Sequence, residues 1–154
     1  MTSIYVPEVK KFFPNLQPIA CDKWSDLSND YNCIAWAAED TLNWWWPVVT
    51  RNVKPEYWPG EPRELTISAF VQAFEKLGYT VCDDPNFETG FTKVAVYAKT
   101  SGQKKPTHMA RQLPNGVWTS KLGQGPDIFH RALECLEGSM YGTVAVILSK
   151  PNAS

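Results

Sequence analysis

The stretch THMARQLPNGVWTSKL, residues 107–122, carries the clearest structural signal in this sequence. Two runs of mixed apolar and polar residues flank the PNG segment at 114–116, and Asn-Gly is the dipeptide most typical of a tight hairpin turn. The stretch therefore predicts two antiparallel strands, 107–113 and 117–122, joined by a two-residue turn at Asn115 and Gly116.

Helix and strand patterns follow one another on both sides of this hairpin. Apolar residues recur at helical spacing in DYNCIAWAAEDTLNWW, which predicts a helix that Pro47 ends. The predicted elements are helices at 30–45, 64–79 and 127–138, and strands at 80–84, 91–100 and 142–150. This order predicts an α+β fold in which N-terminal helices pack on a mainly antiparallel sheet.

The length of 154 residues fits a single domain with one buried core. Residues 1–26 contain three prolines and little periodicity, which predicts an irregular N-terminal arm lying over the core. The core itself spans 27–150, and neither repeats nor a linker divide it.

Composition and charge exclude several classes of partner. The net charge is −1 and the pI is about 6.1, so a basic stripe for a phosphate backbone is missing and we expect no nucleic-acid partner. No apolar run approaches the roughly 20 residues that span a bilayer, and no leader pattern is visible, so we expect a cytoplasmic protein without membrane contact. The four cysteines lack CxxC spacing, which predicts reduced thiols, no metal site and no cofactor.

The seven tryptophans allow two interpretations. Exposed rings could stack against sugars, which would indicate a carbohydrate-binding module. Tryptophan is bulky and mostly buried in folded proteins, so the sequence favours a large aromatic core over a stacking platform.

Cys33 and His108 are the best candidates for a chemical site. Ser28, Asn29 and Asp30 are residues of N-cap type, so Cys33 falls at the start of the first predicted helix, where the helix dipole favours a thiolate. His108 opens a predicted strand. The other candidates have weaker settings: Cys21 in the irregular arm, Cys82 in a strand, Cys135 on the core face of a helix, and His130 at a solvated helix position.

A cysteine that opens a helix, a histidine that opens a strand and a polar residue on the next strand together resemble papain-like cysteine peptidases, above all their bacterial cell-wall amidase branch. The resemblance covers residues 30–45 and 107–122. It implies a papain-like core with Cys33 as nucleophile, His108 as general base and Ser120 as the third catalytic residue.

The chain as a whole also looks like an uncharacterised bacterial domain family over residues 27–150. The resemblance rests on the segments YNCIAWA, WWWP, YWPG, GYTVCDD, GFTKVAVYA, THMARQLPNGVWTSKLG and LEGSMYG. It implies a fold unit but no known activity, so the function has to be argued from the site.

The predicted register of the hairpin offers other partners for His108. With a two-residue turn Gln112 faces Thr119, and because side chains alternate, His108 shares its face with Gln112, Thr119 and Lys121. Ser120 would join that face only through a β-bulge. Gln112 and Thr119 are therefore geometric candidates for orienting His108, and Lys121 could bind a substrate carboxylate.

The sequence therefore predicts a thiol hydrolase or acyltransferase acting on an amide or acyl bond: a peptidase, amidase or deamidase with a protein or peptide substrate. The backbone N–H of Cys33 contributes to the oxyanion hole, and Asn32 is a side-chain candidate whose ordinary role is helix capping. The alternatives are a non-catalytic interaction module, such as an immunity or accessory domain with a protein partner, and the carbohydrate-binding module. The oligomeric state is left open.

Overall fold

A single antiparallel sheet dominates the structure. The computed structural model describes residues 21–23, 31–48, 56–61, 63–99, 105–121, 127–138 and 141–152. Its strands are β1 (Cys21–Lys23), β2 (Thr80–Cys82), β3 (Phe91–Lys99), β4 (Lys105–Gln112), β5 (Trp118–Lys121), β6 (Asp127–His130) and β7 (Thr143–Pro151). They lie in the order β1-β6-β5-β4-β3-β7-β2, and every neighbouring pair is antiparallel.

The helical content is much smaller than predicted. The described residues contain two α-helices, α1 (Cys33–Ala37) of five residues and α2 (Ile67–Glu75) of nine, and a 3-10 helix at Leu133–Leu136. The prediction of N-terminal helices packed on a sheet, with a papain-like core, is therefore wrong, and the fold is β-rich. Apart from β1, the predicted N-terminal arm lies outside the described residues.

Helix α1 is short because polar side chains close it at both ends. Asn32 is its N-cap, and the Asn32 Oδ1 atom accepts a hydrogen bond from the Ala35 N–H at 3.1 Å. After the helix, Glu39 has a positive φ of 65°. Asp40 Oδ1 then accepts from the Leu42 N–H at 2.8 Å, which gives the backbone an alternative to helical bonding. The predicted caps at 28–30 lie outside the described residues.

The third predicted helix, at 127–138, is the clearest error of element type. Its first part is β6, which pairs with β5 on one side and β1 on the other. Only Leu133–Leu136 is helical, as a single 3-10 turn. Two flanking strands supply hydrogen bonds along both edges of β6, and this pairing outweighs a helical periodicity only a few residues long.

The hairpin between β4 and β5 has a three-residue turn instead of the predicted two-residue turn. The Leu113 N–H donates to the Val117 carbonyl at 2.8 Å, so residues 114–116 form the loop. The Gly116 N–H donates back to the Leu113 carbonyl at 2.9 Å, and Gly116 has a φ of 88°. A type I turn followed by a left-handed glycine is the usual form of a three-residue hairpin loop, and its proline fits the first turn position.

This extra loop residue moves the register by one position. Arg111 pairs with Thr119, and Gln112 pairs with Trp118. The predicted pairing of Gln112 with Thr119 is therefore wrong. Because side chains alternate along each strand, the shift places Ser120 on the same face as Gln112 and transfers Thr119 to the opposite face.

The sheet separates two buried clusters. Helices α1 and α2 cover one face, which we call the helix face, and the 3-10 helix covers the other, which we call the distal face. The sheet residues of the helix face are Val94, Val96, Met109 and Leu148. Those of the distal face are Ala95, Tyr97, Ala110, Trp118, Ile128 and Ile147.

Tryptophan contributes to both clusters. Trp36, Trp45, Trp58 and Trp118 are buried, and no tryptophan in the described part of the chain is exposed. On the helix face the Trp58 ring lies 4.9 Å from the ring of Phe70 and 6.5 Å from that of Trp45. These contacts match the aromatic-core interpretation of the tryptophan count.

Replacing Asn32 should destabilise the fold strongly. Besides capping α1, its Oδ1 accepts from the Trp45 N–H at 3.2 Å and its Nδ2 donates to the Trp45 carbonyl at 2.7 Å. We expect Asn32→Ala to lower the free energy of unfolding by about 2–3 kcal/mol in urea titrations. The exposed Asn43→Ala is the control, and an equal loss in that control would contradict the assigned role.

Candidate functional site

Cys33, the predicted nucleophile, is the first residue of α1 and is buried on the helix face. Burial raises the pKa of its thiol to about 11. Backbone N–H groups of Met109, Ile34 and Cys33 itself oppose that rise, as does the positive charge of Lys121, but they are weaker. The position at the helix start thus lowers the thiol pKa, as predicted. The loss of solvent on burial raises that pKa by more, so the thiol is protonated at neutral pH.

His108, the predicted base, lies on the distal face. Its ring stacks on Tyr141 at 4.0 Å between centroids and meets Tyr97 edge-on at 5.2 Å. Both ring nitrogens are buried, and neither has a hydrogen-bond partner among the described residues. Burial lowers the pKa of His108 well below its usual range, and nearby His130 lowers it further. The ring is therefore a neutral member of an aromatic stack.

The structure does not bring Cys33 and His108 together. The next residue on β4, Met109, belongs to the cluster that contains Cys33, whereas His108 contacts the two tyrosines of the other cluster. The Met109 N–H hydrogen-bonds to the sulfur, whereas neither His108 nitrogen has a hydrogen-bond partner among the described residues, so the sulfur and the imidazole are not bonded to one another. A base must be within hydrogen-bond reach of the group that it deprotonates, and the described contacts contain no such bond between His108 and Cys33.

Ser120, the predicted third catalytic residue, is paired with the other histidine. The Ser120 Oγ and the His130 Nε2 are 2.8 Å apart, and the His130 Nδ1 is 3.1 Å from the Ala132 carbonyl oxygen. A carbonyl can only accept, so Nδ1 carries the proton and Ser120 donates to Nε2. Burial lowers the pKa of His130 to about 4, although the bond to Ala132 opposes this shift.

The prediction that His130 is a solvated helix residue is wrong. It is fully buried on β6, opposite Trp118. Helical periodicity concealed it, and the segment Asp127–His130 shows no alternation of apolar and polar residues that could have marked a strand. A hydroxyl bonded to imidazole is the geometry of serine hydrolases, yet both groups are fully buried and the base is weak. The pair therefore holds β5 to β6.

Thr119 and Lys121 lie on the helix face rather than beside His108. The Thr119 Oγ1 donates to the Ile128 carbonyl at 2.8 Å and accepts from the Trp36 Nε1–H at 3.1 Å. The Lys121 ammonium lies 5.2 Å from the centre of the Tyr31 ring, at cation–π distance. Both side chains are fully buried, so they join α1 to the sheet.

Gln112 lines an open groove of about 260 Å³, which we call the Gln112 groove. Its Nε2 donates to the carbonyls of Pro85 at 3.4 Å and Gly116 at 3.3 Å, which fixes the orientation of the amide. Its Oε1 is buried and has no hydrogen-bond partner among the described residues. Such an atom costs about 1–3 kcal/mol. The lining comprises Pro85, Asn86, Phe87, Gln112, Gly116, Trp118, Arg131, Ala132, Leu133 and Glu134.

One wall of the Gln112 groove is held in place by a buried lysine. The Lys93 Nζ donates to the Asp84 carbonyl at 2.6 Å and forms an ion pair with Glu88 at 2.8 Å. Within the same loop, the Asn86 N–H donates to the Asp84 Oδ1 at 2.8 Å. Together with the bond from Gln112 to Pro85, these contacts fix the loop at both ends. The wall is therefore formed before any ligand arrives.

The rim of the Gln112 groove is charged on one side and apolar on the other. Arg131 and Glu134 are exposed, and neither forms an ion pair with any residue that the structure describes. Phe87, at 42% exposure, is the exposed aromatic ring of the lining. The groove thus offers a cation, an anion and an apolar surface within one small volume, and it is also lined by Gln112, whose buried Oε1 has no partner among the described residues.

Two kinds of feature are absent from the described residues. No three His, Cys, Asp or Glu side chains in those ranges lie close enough to hold a metal ion. No helix there is long and apolar enough to cross a membrane.

These features define a β-rich domain built on one antiparallel sheet, with a polar groove beside the β4–β5 turn. The family model for DUF7689, a domain of unknown function, matches residues 23–149, and the chain belongs to that family. This confirms the predicted membership of an uncharacterised domain family; the match does not bear on a papain-like resemblance or a bacterial origin. No curated protein and no solved structure matches the chain.

The two buried histidines should make the fold sensitive to acid. Their pKa values are below the ordinary 6.5, at about 4 for His130, so the unfolded chain binds protons that the folded chain cannot. The free energy of unfolding is therefore highest above pH 6.5 and decreases as the pH falls toward 4. For His130 the decrease is on the order of 3 kcal/mol. Urea unfolding at pH 7, 5.5 and 4.5 measures this loss.

His108→Phe provides the matched variant for this measurement. The phenyl ring keeps the stack with Tyr141 and removes two unsatisfied nitrogens, so stability at pH 7 should be unchanged or higher. The loss of stability in acid should be smaller than in the wild type. A variant that is several kcal/mol less stable at pH 7 would contradict this description of His108.

Cys33 should be a slow thiol. A pKa of about 11 leaves about 100-fold less thiolate than the ordinary value of 9.0. Of Cys33, Cys82 and Cys135, iodoacetamide at pH 7.5 should label half-buried Cys82 before the two buried residues. Peptide mapping after brief labelling of the folded protein measures the order. Preferential labelling of Cys33 would contradict its burial and support the thiol hydrolase predicted from sequence.

Proposed function

We propose that this domain is a non-catalytic binding module and that the Gln112 groove is its binding site. The observation that carries the proposal is the Gln112 Oε1 atom, a buried acceptor without a partner among the described residues, in the lining of an open groove. Folded proteins satisfy nearly all buried polar atoms, and an exception calls for an explanation. A ligand that donates a hydrogen bond to this oxygen supplies one.

The rigidity of the groove supports the proposal. Lys93 and Gln112 fasten the loop wall from the sheet side, through the carbonyls of Asp84 and Pro85. A site that is already formed loses little conformational entropy when its ligand binds. Convergent polar groups beside an aromatic surface are also the ordinary composition of small ligand sites.

A thiol hydrolase centred on Cys33 is the second candidate. The favourable observation is that backbone N–H groups of Met109, Ile34 and Cys33 hydrogen-bond to its sulfur and lower the thiol pKa, which favours a thiolate nucleophile. Against it stand the raised thiol pKa and the lack, among the described residues, of a hydrogen bond between the sulfur and His108. The binding module is therefore the better-supported of the two.

A fragment screen by NMR tests the binding module directly. We expect fragments that contain a hydrogen-bond donor and an aromatic ring to shift the Gln112 side-chain amide and the Trp118 indole signals of the ¹⁵N-labelled protein. Gln112→Met retains the length of the side chain but removes its amide, so it should weaken the hits at least tenfold. Thermal melting checks that the Gln112→Met variant is folded.

Gln72→Met is the matched control, because Gln72 is exposed on α2 and its amide donates to Ser68 of the same helix region. It should leave every hit unchanged. Hits that map to the helix face, or no hits anywhere in the spectrum, would overturn the assignment of the groove.

A further inference from the structure

The charges on the rim specify the ligand more narrowly than the groove alone does. Arg131 and Glu134 lie three residues apart and both line the groove, and neither has an ion-pair partner among the described residues. A ligand with only one charge would satisfy one of them and be repelled by the other. A ligand that carries both signs close together is complementary to the pair.

The remaining lining fits the rest of such a ligand. The Gln112 Oε1 needs a hydrogen-bond donor, and an ammonium group has three N–H donors, of which only one is needed for Glu134. Trp118, Phe87 and Leu133 form the apolar part of the surface. A volume of about 260 Å³ is below the range of about 300–1,000 Å³ typical of drug-sized ligands, so the occupant is small.

We infer that the Gln112 groove binds a free α-amino acid with a large apolar side chain. Its carboxylate pairs with Arg131, its ammonium pairs with Glu134 and donates to the Gln112 Oε1, and its side chain packs on Trp118 and Phe87. This inference rests on the proposed binding function and names the ligand class of the same site.

Calorimetry and NMR with a series of phenylalanine derivatives test the inference. L-phenylalanine should bind. N-acetyl-L-phenylalanine lacks the ammonium, L-phenylalaninamide lacks the carboxylate, and glycine lacks the apolar side chain, so each should bind at least tenfold more weakly. Equal binding of the parent and the capped compounds would overturn the amino-acid assignment.

Two charge variants locate each end of the ligand. Arg131→Gln should lower the affinity for L-phenylalanine at least tenfold and leave the weak binding of L-phenylalaninamide unchanged. Glu134→Gln should lower the affinity for L-phenylalanine and leave the weak binding of N-acetyl-L-phenylalanine unchanged. Glu75→Gln, at an exposed position of α2, is the control and should change nothing. If Arg131→Gln and Glu134→Gln left the affinity for L-phenylalanine intact, the assigned pose would be wrong.

The series also separates this inference from the proposed function. If fragments of other chemistry shift the Gln112 and Trp118 signals while the amino acids do not, the binding module stands and the amino-acid class fails. If neither set shifts those signals, both fail.

Discussion

The three-residue turn at 114–116 is the constraint on which the rest of the site depends. A strand presents its side chains alternately to two faces, so one residue more or less in the loop changes the face of every residue on β5 relative to β4. With Leu113 bonded to Val117, Thr119 shares the face of Arg111, and Ser120 shares that of Gln112. Gly116 makes this possible by adopting a positive φ.

The consequences of this register extend through both cores. On the helix face, Thr119 bonds Trp36, and Arg111 donates to the Trp36 carbonyl at 3.2 Å, so α1 is fastened to the sheet at two points. On the distal face, Ser120 meets His130 across β5 and β6. A two-residue turn would have exchanged these sets and left Thr119 and Lys121 facing the aromatic stack of His108.

The sequence was sufficient to locate elements whose pattern is long or whose ends are marked. The predicted strand at 91–100 corresponds to Phe91–Lys99, and the predicted helix at 64–79 contains Ile67–Glu75, which begins after Thr66 as its N-cap. It was insufficient at 127–138, where the hydrogen bonds that decide the structure come from β5 and β1. Pairing between distant strands leaves little trace in a short local pattern.

The candidate site was less predictable than the fold, because the order of residues along a chain does not determine the face on which each side chain lies. Cys33 does begin a helix and His108 does lie on a strand, as the sequence indicates. What separates them is the pleat of β4, in which neighbouring residues point to opposite faces. The helix start lowers the pKa of Cys33, as predicted. Burial, which the sequence did not reveal, raises that pKa by a larger amount.

The buried polar groups of the distal face differ in whether their hydrogen bonds are satisfied, and this difference separates structural residues from candidate binding residues. Ser120 and His130 satisfy one another and the Ala132 carbonyl, so they need no ligand. His108 is unsatisfied but enclosed between Tyr97 and Tyr141, where a ligand would first have to break an aromatic stack. Gln112 is unsatisfied at the wall of an open groove.

The same turn that fixes the register thus also produces the groove. The Gly116 carbonyl and the Pro85 carbonyl both accept from the Gln112 Nε2, so both donors of that amide are occupied and its oxygen is left without a donor. Rotating the amide would place its oxygen against two carbonyl oxygens and lose both bonds, which costs more than one unsatisfied acceptor. The unpaired oxygen is therefore a consequence of how the loop wall is held.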